Sequence, residues 1–176
     1  MDLELSILPF KGTDPQDLEA LAGALSTLFN RVTLLKPSPV PQAAFNTQRG
    51  QYRANELLEV ARRRKTSRVL AVTSLDLYAG NLNFVFGLAD LPGKAAVISF
   101  YRLHFGADDG VFRARALKEA VHELGHTFGL RHCGHPRCVM GFSSSLSDTD
   151  RKSTRFCRNC VRKLAGQAGI GAAGNS

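Results

Sequence analysis

The chain has 176 residues, of which 44% are hydrophobic, and a formal net charge of +8, which describes one soluble globular domain with a core of its own. No apolar run approaches the roughly 18–20 residues that a membrane span requires, so the composition excludes an integral membrane protein. The N-terminus, MDLELSILPFKG, begins acidic and lacks the basic region and cleavage site of a signal peptide. We therefore expect a cytoplasmic monomer that has no membrane partner.

The first half of the chain alternates predicted strands with predicted helices. In chain order these are a strand at 3–10, a helix at 13–30, a strand at 31–35, a proline-rich loop at 36–50, a helix at 52–64 and a strand at 68–78. Asp14 can cap the first helix, and Pro15 fits its first turn. Leucines repeat on one face of this helix at positions Leu18, Leu21, Leu25 and Leu28.

The second half continues with a strand pair and a long helix. In chain order the predicted elements are strands at 82–90 and 95–103, a helix at 112–130, a loop at 143–148, a short helix at 157–165 and a flexible tail at 166–176. Alternating strands and helices followed by a strand pair predict an α/β sandwich, in which helices pack on a mixed sheet.

The stretch HELGHTFGLRH carries the metal-site pattern H-E-x-x-H-x-x-G-x-x-H. His122 and His126 stand four positions apart, so a helix places both imidazoles on one face, where they can bind one metal. Glu123 lies beside that face and is placed to take a proton from a metal-bound water. Gly129 can supply the left-handed turn that ends the helix and brings His132 to the third corner. Three imidazoles and a water make a catalytic zinc site.

The four cysteines form two closely spaced pairs near this motif: Cys133, Cys138, Cys157 and Cys160. In a reducing compartment such a cluster is more typical of a metal site than of two disulfides. Two short-spaced pairs suit a closed, tetrahedral zinc held by four thiolates. His132 and Cys133 are neighbours, and successive side chains of an extended segment point to opposite sides. We therefore expect two zinc ions (Zn²⁺), one catalytic and one structural, on either side of that peptide bond.

Residues 131–163 hold eight basic and two acidic side chains. One interpretation is a surface for nucleic acid. The other is local neutralisation, because four thiolates around a divalent zinc leave an excess of negative charge. No aromatic interleaving or RNA-binding motif accompanies the basic residues, which favours neutralisation and leaves nucleic acid as the second interpretation.

HELGHTFGLRHCGHPRCVM and the later CRNC closely resemble the archaemetzincins, a branch of the metzincin zinc peptidases with a cysteine directly after the third histidine. Met140 fits the methionine that metzincins place in a turn beneath the metal. Upstream, RGQYRANELL, LDLYAGNLNFVFGLAD and AAVISFYRL also match, so the resemblance covers 45–160. The segment between Met140 and Cys157 is one residue shorter than the family pattern, at a loop where we expect a deletion to be harmless.

The resemblance implies a metzincin-like fold: a twisted mixed sheet of three parallel strands with an antiparallel edge strand, packed helices, and a small C-terminal subdomain built on the four-cysteine zinc site. It implies one catalytic domain over 1–165, with an upper subdomain at 1–129 and a lower subdomain at 130–165. The site residues that it implies are His122, His126 and His132 for the catalytic zinc, Glu123 as general base, and Cys133, Cys138, Cys157 and Cys160 for the structural zinc.

Hydrolysis of peptide bonds is the function that these residues predict, with an extended peptide or protein substrate paired to the edge strand at 82–90. The second hypothesis is a zinc-stabilised binding protein for peptides or nucleic acid, with a weak or inactive catalytic site. The intact Glu123 favours the first hypothesis, and the basic segment leaves room for the second. Some metzincins carry a tyrosine that assists the oxyanion where this chain has Phe142, so we assign no protein group to that role. His104 and His135 are expected to stand outside both metal sites.

Overall fold

The computed structural model describes residues 3–167. The strands are β1 (Glu4–Pro9), β2 (Arg31–Leu34), β3 (Phe45–Asn46), β4 (Gln51–Arg53), β5 (Val69–Thr73), β6 (Leu77–Tyr78), β7 (Gly87–Ala89) and β8 (Ala95–Ser99). The helices are α1 (Pro15–Leu25), α2 (Ala54–Arg62), α3 (Asp109–Thr127), α4 (Leu146–Arg151) and α5 (Arg158–Gln167). None of these helices is long and apolar enough to cross a membrane.

The main sheet has the strand order β2-β1-β5-β8-β7. Every neighbouring pair in it is parallel except β7 with β8, which is antiparallel. Two of the inner strands, β5 and β8, are buried along their whole length and are apolar up to their last residues, Thr73 and Ser99, as strands covered on both faces are. The predicted mixed sheet with an antiparallel edge strand is confirmed. The prediction of three parallel strands is wrong, because β2 also pairs parallel to β1 and makes four.

Helix α1 ends earlier than the leucine pattern predicts. It is capped as expected, since the Asp14 side chain accepts a hydrogen bond of 2.8 Å from the backbone N–H of Gln16, and Pro15 is its first residue. The helix stops at Leu25, so Leu28 falls outside the helical stripe. Leu28 is consequently 50% exposed, whereas the three earlier leucines of the pattern are buried.

A small second sheet, with the order β3-β4-β6, is absent from the sequence-based prediction. Strand β4 includes Tyr52 and Arg53, the first two residues of the helix predicted at 52–64. The observed helix, α2, therefore begins at Ala54. Strand β6 takes the end of the strand predicted at 68–78, because the chain leaves the main sheet after Thr73. The Thr73 hydroxyl accepts a hydrogen bond of 3.3 Å from the backbone N–H of Leu75 at that exit.

The later elements also differ in their bounds from the predictions. Of the strand predicted at 82–90 only β7 pairs, and residues 79–86 form an irregular segment before it. Helix α3 starts earlier than predicted, after Asp108, whose side chain accepts a capping hydrogen bond of 2.8 Å. Residues 143–148, predicted as a loop, contain the start of α4, which the side chain of Ser145 caps.

The core lies on both faces of the main sheet. One apolar cluster lies between the sheet and helices α1 and α3 and includes Val139, Met140 and Cys160, which follow α3 in the chain. A second cluster lies under α2 on the other face. The division into subdomains at residue 129 stays a prediction. The tail predicted from residue 166 begins inside α5, and residues 168–176 lie outside the described residues.

Helix α3 approaches the turn that contains Met140 very closely. Met140 is fully buried. A Cβ atom on Gly125 would overlap Met140 Sδ and would lie 3.2 Å from Phe156 Cε1. Glycine at this position therefore allows the helix to pack on the turn.

We expect Gly125→Ala to lower the free energy of unfolding by about 1–3 kcal/mol, the usual cost of overpacking a core. Gly23→Ala is the matched control, because Gly23 also lies in a helix but has open space where a Cβ would stand. There alanine should raise stability by up to about 1 kcal/mol. Urea unfolding followed by circular dichroism measures both variants, and equal effects would contradict the packing argument.

Candidate active site and metal centres

Helix α3 directs His122 and His126 into a common cleft. Each ring is oriented by its Nδ1 atom, which lies 2.8 Å from Val139 O in His122 and 2.7 Å from Leu130 O in His126. A carbonyl oxygen can only accept a hydrogen bond, so both Nδ1 atoms carry the proton and both Nε2 atoms keep a free lone pair. Backbone carbonyls orient histidine ligands in this way in metal sites.

The two free Nε2 atoms lie 3.1 Å apart. Burial lowers the pKa of His122 well below its ordinary value and also lowers the pKa of His126, so both rings are neutral at pH 7. Two lone pairs that face each other repel unless a cation lies between them. Tetrahedral zinc with Zn–N bonds of about 2.0–2.1 Å separates two ligand nitrogens by about 3.3 Å, which fits the observed spacing.

His132 reaches the same point because the chain turns sharply at Gly129. Gly129 has a φ of +86°, in the left-handed region, and the backbone N–H of Leu130 then donates to Gly125 O at 3.1 Å. The ligand nitrogens of all three histidines lie within 4.8 Å of one another. The His132 ring is exposed and packs against Phe142, with 5.1 Å between the ring centroids.

Glu123 is buried and lines the same cleft as the three histidines. Burial raises its pKa well above the ordinary value, and the neighbouring Glu119 carboxylate adds to this shift. The side chain packs against Gly87 of β7, where a Cβ would lie 2.6 Å from Glu123 Cγ. Any side chain at position 87 would displace the carboxylate, so glycine there determines its position.

A buried ion pair between Glu119 and Lys152 lies beside this carboxylate and was missed by the sequence analysis. Lys152 Nζ is 2.9 Å from Glu119 Oε1, and both side chains are 3% exposed. Thr149 Oγ1 donates to the same oxygen at 3.1 Å, and Lys152 Nζ also donates to Gly141 O at 3.4 Å. Glu119 precedes His122 by three positions and therefore shares its helix face, and this spacing could have indicated in the sequence that Glu119 lies near the site. Nothing in the sequence distinguished Lys152 from the other basic residues near it.

The three histidines and Glu123 line a cleft of about 480 Å³. One wall consists of β7 and the irregular segment 79–86, and the other consists of α3 and residues 142–144. Leucine, valine, alanine and phenylalanine side chains make up most of the first wall. The buried Ser143 hydroxyl in the second wall has no hydrogen-bond partner among the described residues.

Arg49 and Gln51 hold the segment 79–86 in place. Arg49 Nη2 donates to Leu82 O at 2.8 Å and to Asn83 O at 3.0 Å, and Gln51 Nε2 donates to Asn83 O at 2.9 Å. The stretch RGQYRANELL, which carries part of the family resemblance, thus supports a wall of the cleft. These contacts join residues far apart in the sequence, so spacing did not reveal them.

The four cysteines form a second cluster, in which all Sγ atoms lie within 4.8 Å of one another. The thiols are free, and the Sγ atoms are 3.7 Å apart both in Cys133–Cys157 and in Cys138–Cys160. A tetrahedral zinc with Zn–S bonds of about 2.3 Å places its sulfurs about 3.8 Å apart. A disulfide would need about 2.05 Å, so the spacing fits a four-thiolate zinc site and not two disulfides.

Hydrogen bonds in this cluster favour thiolates. The backbone N–H of Cys160 lowers the pKa of Cys157 to about 6. The backbone N–H groups of His135 and Cys157 donate to Cys133 Sγ at 3.4 Å and to Cys138 Sγ at 3.3 Å. Burial raises the pKa of the Cys138 and Cys160 thiols. A bound cation offsets that burial, because metal ligation deprotonates thiols.

The structure therefore brings the sequence-predicted ligands together in two clusters, with His132 in one and Cys133 in the other. No further group of three or more possible metal ligands meets within residues 3–167. His104 lies elsewhere and stacks on Phe112 with 3.6 Å between ring centroids. His135 belongs to neither cluster and contributes its backbone N–H to the Cys133 sulfur.

The chain matches the family model for "Peptidase family M54" over residues 32–166. It is 51% identical over 131 residues to the archaemetzincin of Methanopyrus kandleri, which covers 73% of this chain and 74% of that relative. The crystal structure of an archaemetzincin from Methanopyrus kandleri superposes with a TM-score of 0.85 at 42% identity, covering 94% of this chain and 95% of that one.

A second crystal structure, of an archaemetzincin from Archaeoglobus fulgidus complexed with malonate, also superposes with a TM-score of 0.85. It is 41% identical and covers 92% of this chain and 99% of that one. In both sequence and fold, this chain thus matches proteins of one family over nearly its whole length. This chain therefore belongs to peptidase family M54, the archaemetzincins, and it is a zinc metallopeptidase.

Proposed function

We propose that this metallopeptidase uses Glu123 as general base, holds its catalytic zinc with His122, His126 and His132, and holds a structural zinc with the four cysteines. The observation that carries the proposal is the convergence of the histidine ligand nitrogens beside a buried carboxylate. Zinc, when bound there, lowers the pKa of a ligated water to about 7 and polarises the substrate carbonyl.

Glu123 accepts the proton of the attacking water and later returns it to the leaving amine nitrogen. Burial raises the pKa of this carboxyl group, which makes its carboxylate a stronger base than an exposed one. Helix α3 places it one position after His122, and Gly87 leaves room for it against β7. The carboxylate therefore stands beside the metal position without taking a ligand place.

An extended peptide fits the cleft as an added strand on β7. β7 is the terminal strand of the main sheet and pairs antiparallel with β8, and it lines the cleft together with Phe84 and Phe86. Backbone hydrogen bonds to an edge strand hold a peptide of any sequence, and pockets beside the strand select among side chains. A peptide or protein segment with apolar side chains is the substrate class that this wall favours.

The four-cysteine site supports the catalytic site through one peptide bond. The side chains of His132 and Cys133 belong to different clusters, and the backbone N–H of Cys133 donates to Met140 O at 2.9 Å. Fixing Cys133 therefore fixes the backbone that carries His132. The free thiols suit the reducing, cytoplasmic compartment that we propose for this chain.

Glu123→Gln should keep the catalytic zinc and lose about 10²–10⁴-fold in hydrolysis, the usual contribution of a general base. Cleavage of a broad peptide library followed by mass spectrometry measures the rate, and elemental analysis measures the zinc. Glu19→Gln is the matched control, because Glu19 is exposed on α1 and does not line the cleft. Hydrolysis that persists in Glu123→Gln would refute the general-base role.

The two zinc ions should differ in their resistance to chelation. The four-thiolate site is closed, whereas the histidine site has an open position, so brief treatment with 1,10-phenanthroline should remove one zinc per chain and abolish hydrolysis while the fold persists. Removing the second zinc should lower the unfolding temperature, because a structural zinc contributes to folding. Elemental analysis and circular dichroism follow both steps.

One zinc per fully loaded chain would contradict the four-cysteine site. Two zinc ions without any peptide cleavage, together with salt-dependent binding of nucleic acid, would support the second hypothesis, a zinc-stabilised binding protein.

Cys133→Ser should weaken binding of the catalytic zinc as well as the structural zinc, because the loosened backbone no longer holds His132. Competition with a zinc-binding dye measures the affinity of the histidine site. Cys157→Ser is the matched control, since it removes a thiolate of the same cluster that has no neighbouring histidine ligand, and its effect on the histidine site should be smaller. Unchanged catalytic-zinc affinity in Cys133→Ser would count against the coupling.

A further inference from the structure

A second large cavity lies behind the active-site helix. It is a groove of about 970 Å³ that is lined by residues 28–29, which follow α1, by the end of α3 and by one side of α5. Its apolar lining includes Leu28, Phe29, Leu124, Phe128, Val161 and Leu164. Val121 and Leu124 of α3 line this groove, whereas His122 and Glu123 line the cleft. The groove and the cleft are therefore separate sites on two faces of one helix.

Apolar side chains in this groove are left open to solvent. Leu28 is 50% exposed and Val161 is 52% exposed, although both are large aliphatic residues. Both line the same groove, so its apolar lining extends from the segment after α1 to α5. A contiguous apolar surface of this kind on a folded chain marks a place for a ligand or a partner.

Arg68 adds a positive charge to this apolar lining. Its Nη1 atom donates to Gly93 O at 3.1 Å and to Thr127 Oγ1, and its guanidinium stacks 3.6 Å from the centre of the Phe128 ring. Its Nε and Nη2 atoms have no hydrogen-bond partner within residues 3–167. Burial lowers the pKa of Arg68, and no carboxylate in the described chain offsets this. A half-buried cation without an anion favours an anionic ligand.

We propose that this groove binds an unbranched aliphatic carboxylate, such as a fatty acid, with its carboxylate on Arg68 and its chain along the apolar lining. An aliphatic chain needs no hydrogen bonds, and the groove offers few polar groups besides Arg68. Glu4 also lines it, but its carboxylate pairs with Arg31 at 3.5 Å. A bound peptide would instead leave backbone N–H and C=O groups unpaired against the apolar wall.

Titration calorimetry of the full chain with sodium decanoate, below its micelle concentration, tests this proposal. We expect saturable binding of one decanoate per chain. Affinity should rise about fourfold for each methylene added between octanoate and dodecanoate, because each buried methylene contributes to transfer from water. Decanol and decyltrimethylammonium have the same chain without the negative charge and should bind about tenfold more weakly or worse.

Two variants change the groove in different ways. Arg68→Gln removes the cation, and Leu28→Asp places a negative charge on exposed apolar surface; each should weaken decanoate binding by about tenfold or more. Leu34→Asp is the matched control, because Leu34 is 43% exposed but does not line the groove, and it should change the affinity by less than about twofold. Circular dichroism reports whether Arg68→Gln folds, and Leu28→Asp still tests the site if it does not.

Several outcomes would overturn the proposal. These include the absence of saturable binding and equal affinity for decanol and decanoate. A third is decanoate binding that neither groove variant weakens but that disappears when zinc is removed, which would place decanoate on the catalytic metal. A dimer of the unliganded chain that Leu28→Asp dissociates, seen by light scattering, would show instead that a second copy covers the groove. None of these measurements depends on peptide hydrolysis, so they are independent of the proposed function.

Discussion

The left-handed turn at Gly129 is the constraint on which both proposed metal centres depend. If α3 continued, residue 132 would lie about 9 Å further along the helix axis than His126 and on another face. A φ of +86° at Gly129 ends the helix and returns the Leu130 carbonyl to within 2.7 Å of His126 Nδ1. The same turn sends His132 to the histidine cluster and Cys133 to the cysteine cluster. A residue with a Cβ atom would be strained at this φ.

Three consecutive residues after the turn connect the two centres a second time. Cys138 contributes its sulfur to the four-cysteine cluster, Val139 accepts the hydrogen bond that orients His122, and Met140 accepts one from the backbone N–H of Cys133. Each cluster of proposed ligands therefore rests on backbone that also supports the other. The zinc proposed for the cysteine cluster would hold the backbone whose carbonyl selects the His122 tautomer, and the proposed structural site would thereby act on catalysis through geometry.

The ligand positions could be predicted because they depend on local rules, whereas their surroundings could not. Helical periodicity and one glycine account for the meeting of the histidines, and short cysteine spacings account for the second cluster. The cleft wall depends instead on Arg49 and Gln51, and the position of the Glu123 side chain depends on Gly87, through contacts between distant parts of the chain.

The second sheet was missed because strands of two or three residues show no alternation of apolar and polar residues. Leu28 was misplaced because a leucine stripe does not show where its helix stops.

The segment between Met140 and Cys157 is built differently from the loop that the sequence indicates. Helix α4 occupies part of it, and Arg115 of α3 pairs with Asp150 at 2.7 Å while Lys152 pairs with Glu119 at 2.9 Å. Lys152 and Glu119 are both buried, so removing either one leaves an uncompensated buried charge, at a cost of about 3–5 kcal/mol. In the other pair Arg115 is buried but Asp150 is exposed, so solvent screens its charge.

These two pairs determine the register of α4 on α3, and with it the position of residues 142–144 in the cleft wall. Losing one residue inside α4 would rotate the positions on one side of the deletion by about 100°, so Asp150 and Lys152 could no longer both meet their partners. A residue lost before Ser145, the cap of α4, leaves both pairs intact. We therefore expect the loss of one residue from this segment to be harmless only outside the stretch from Ser145 to Lys152.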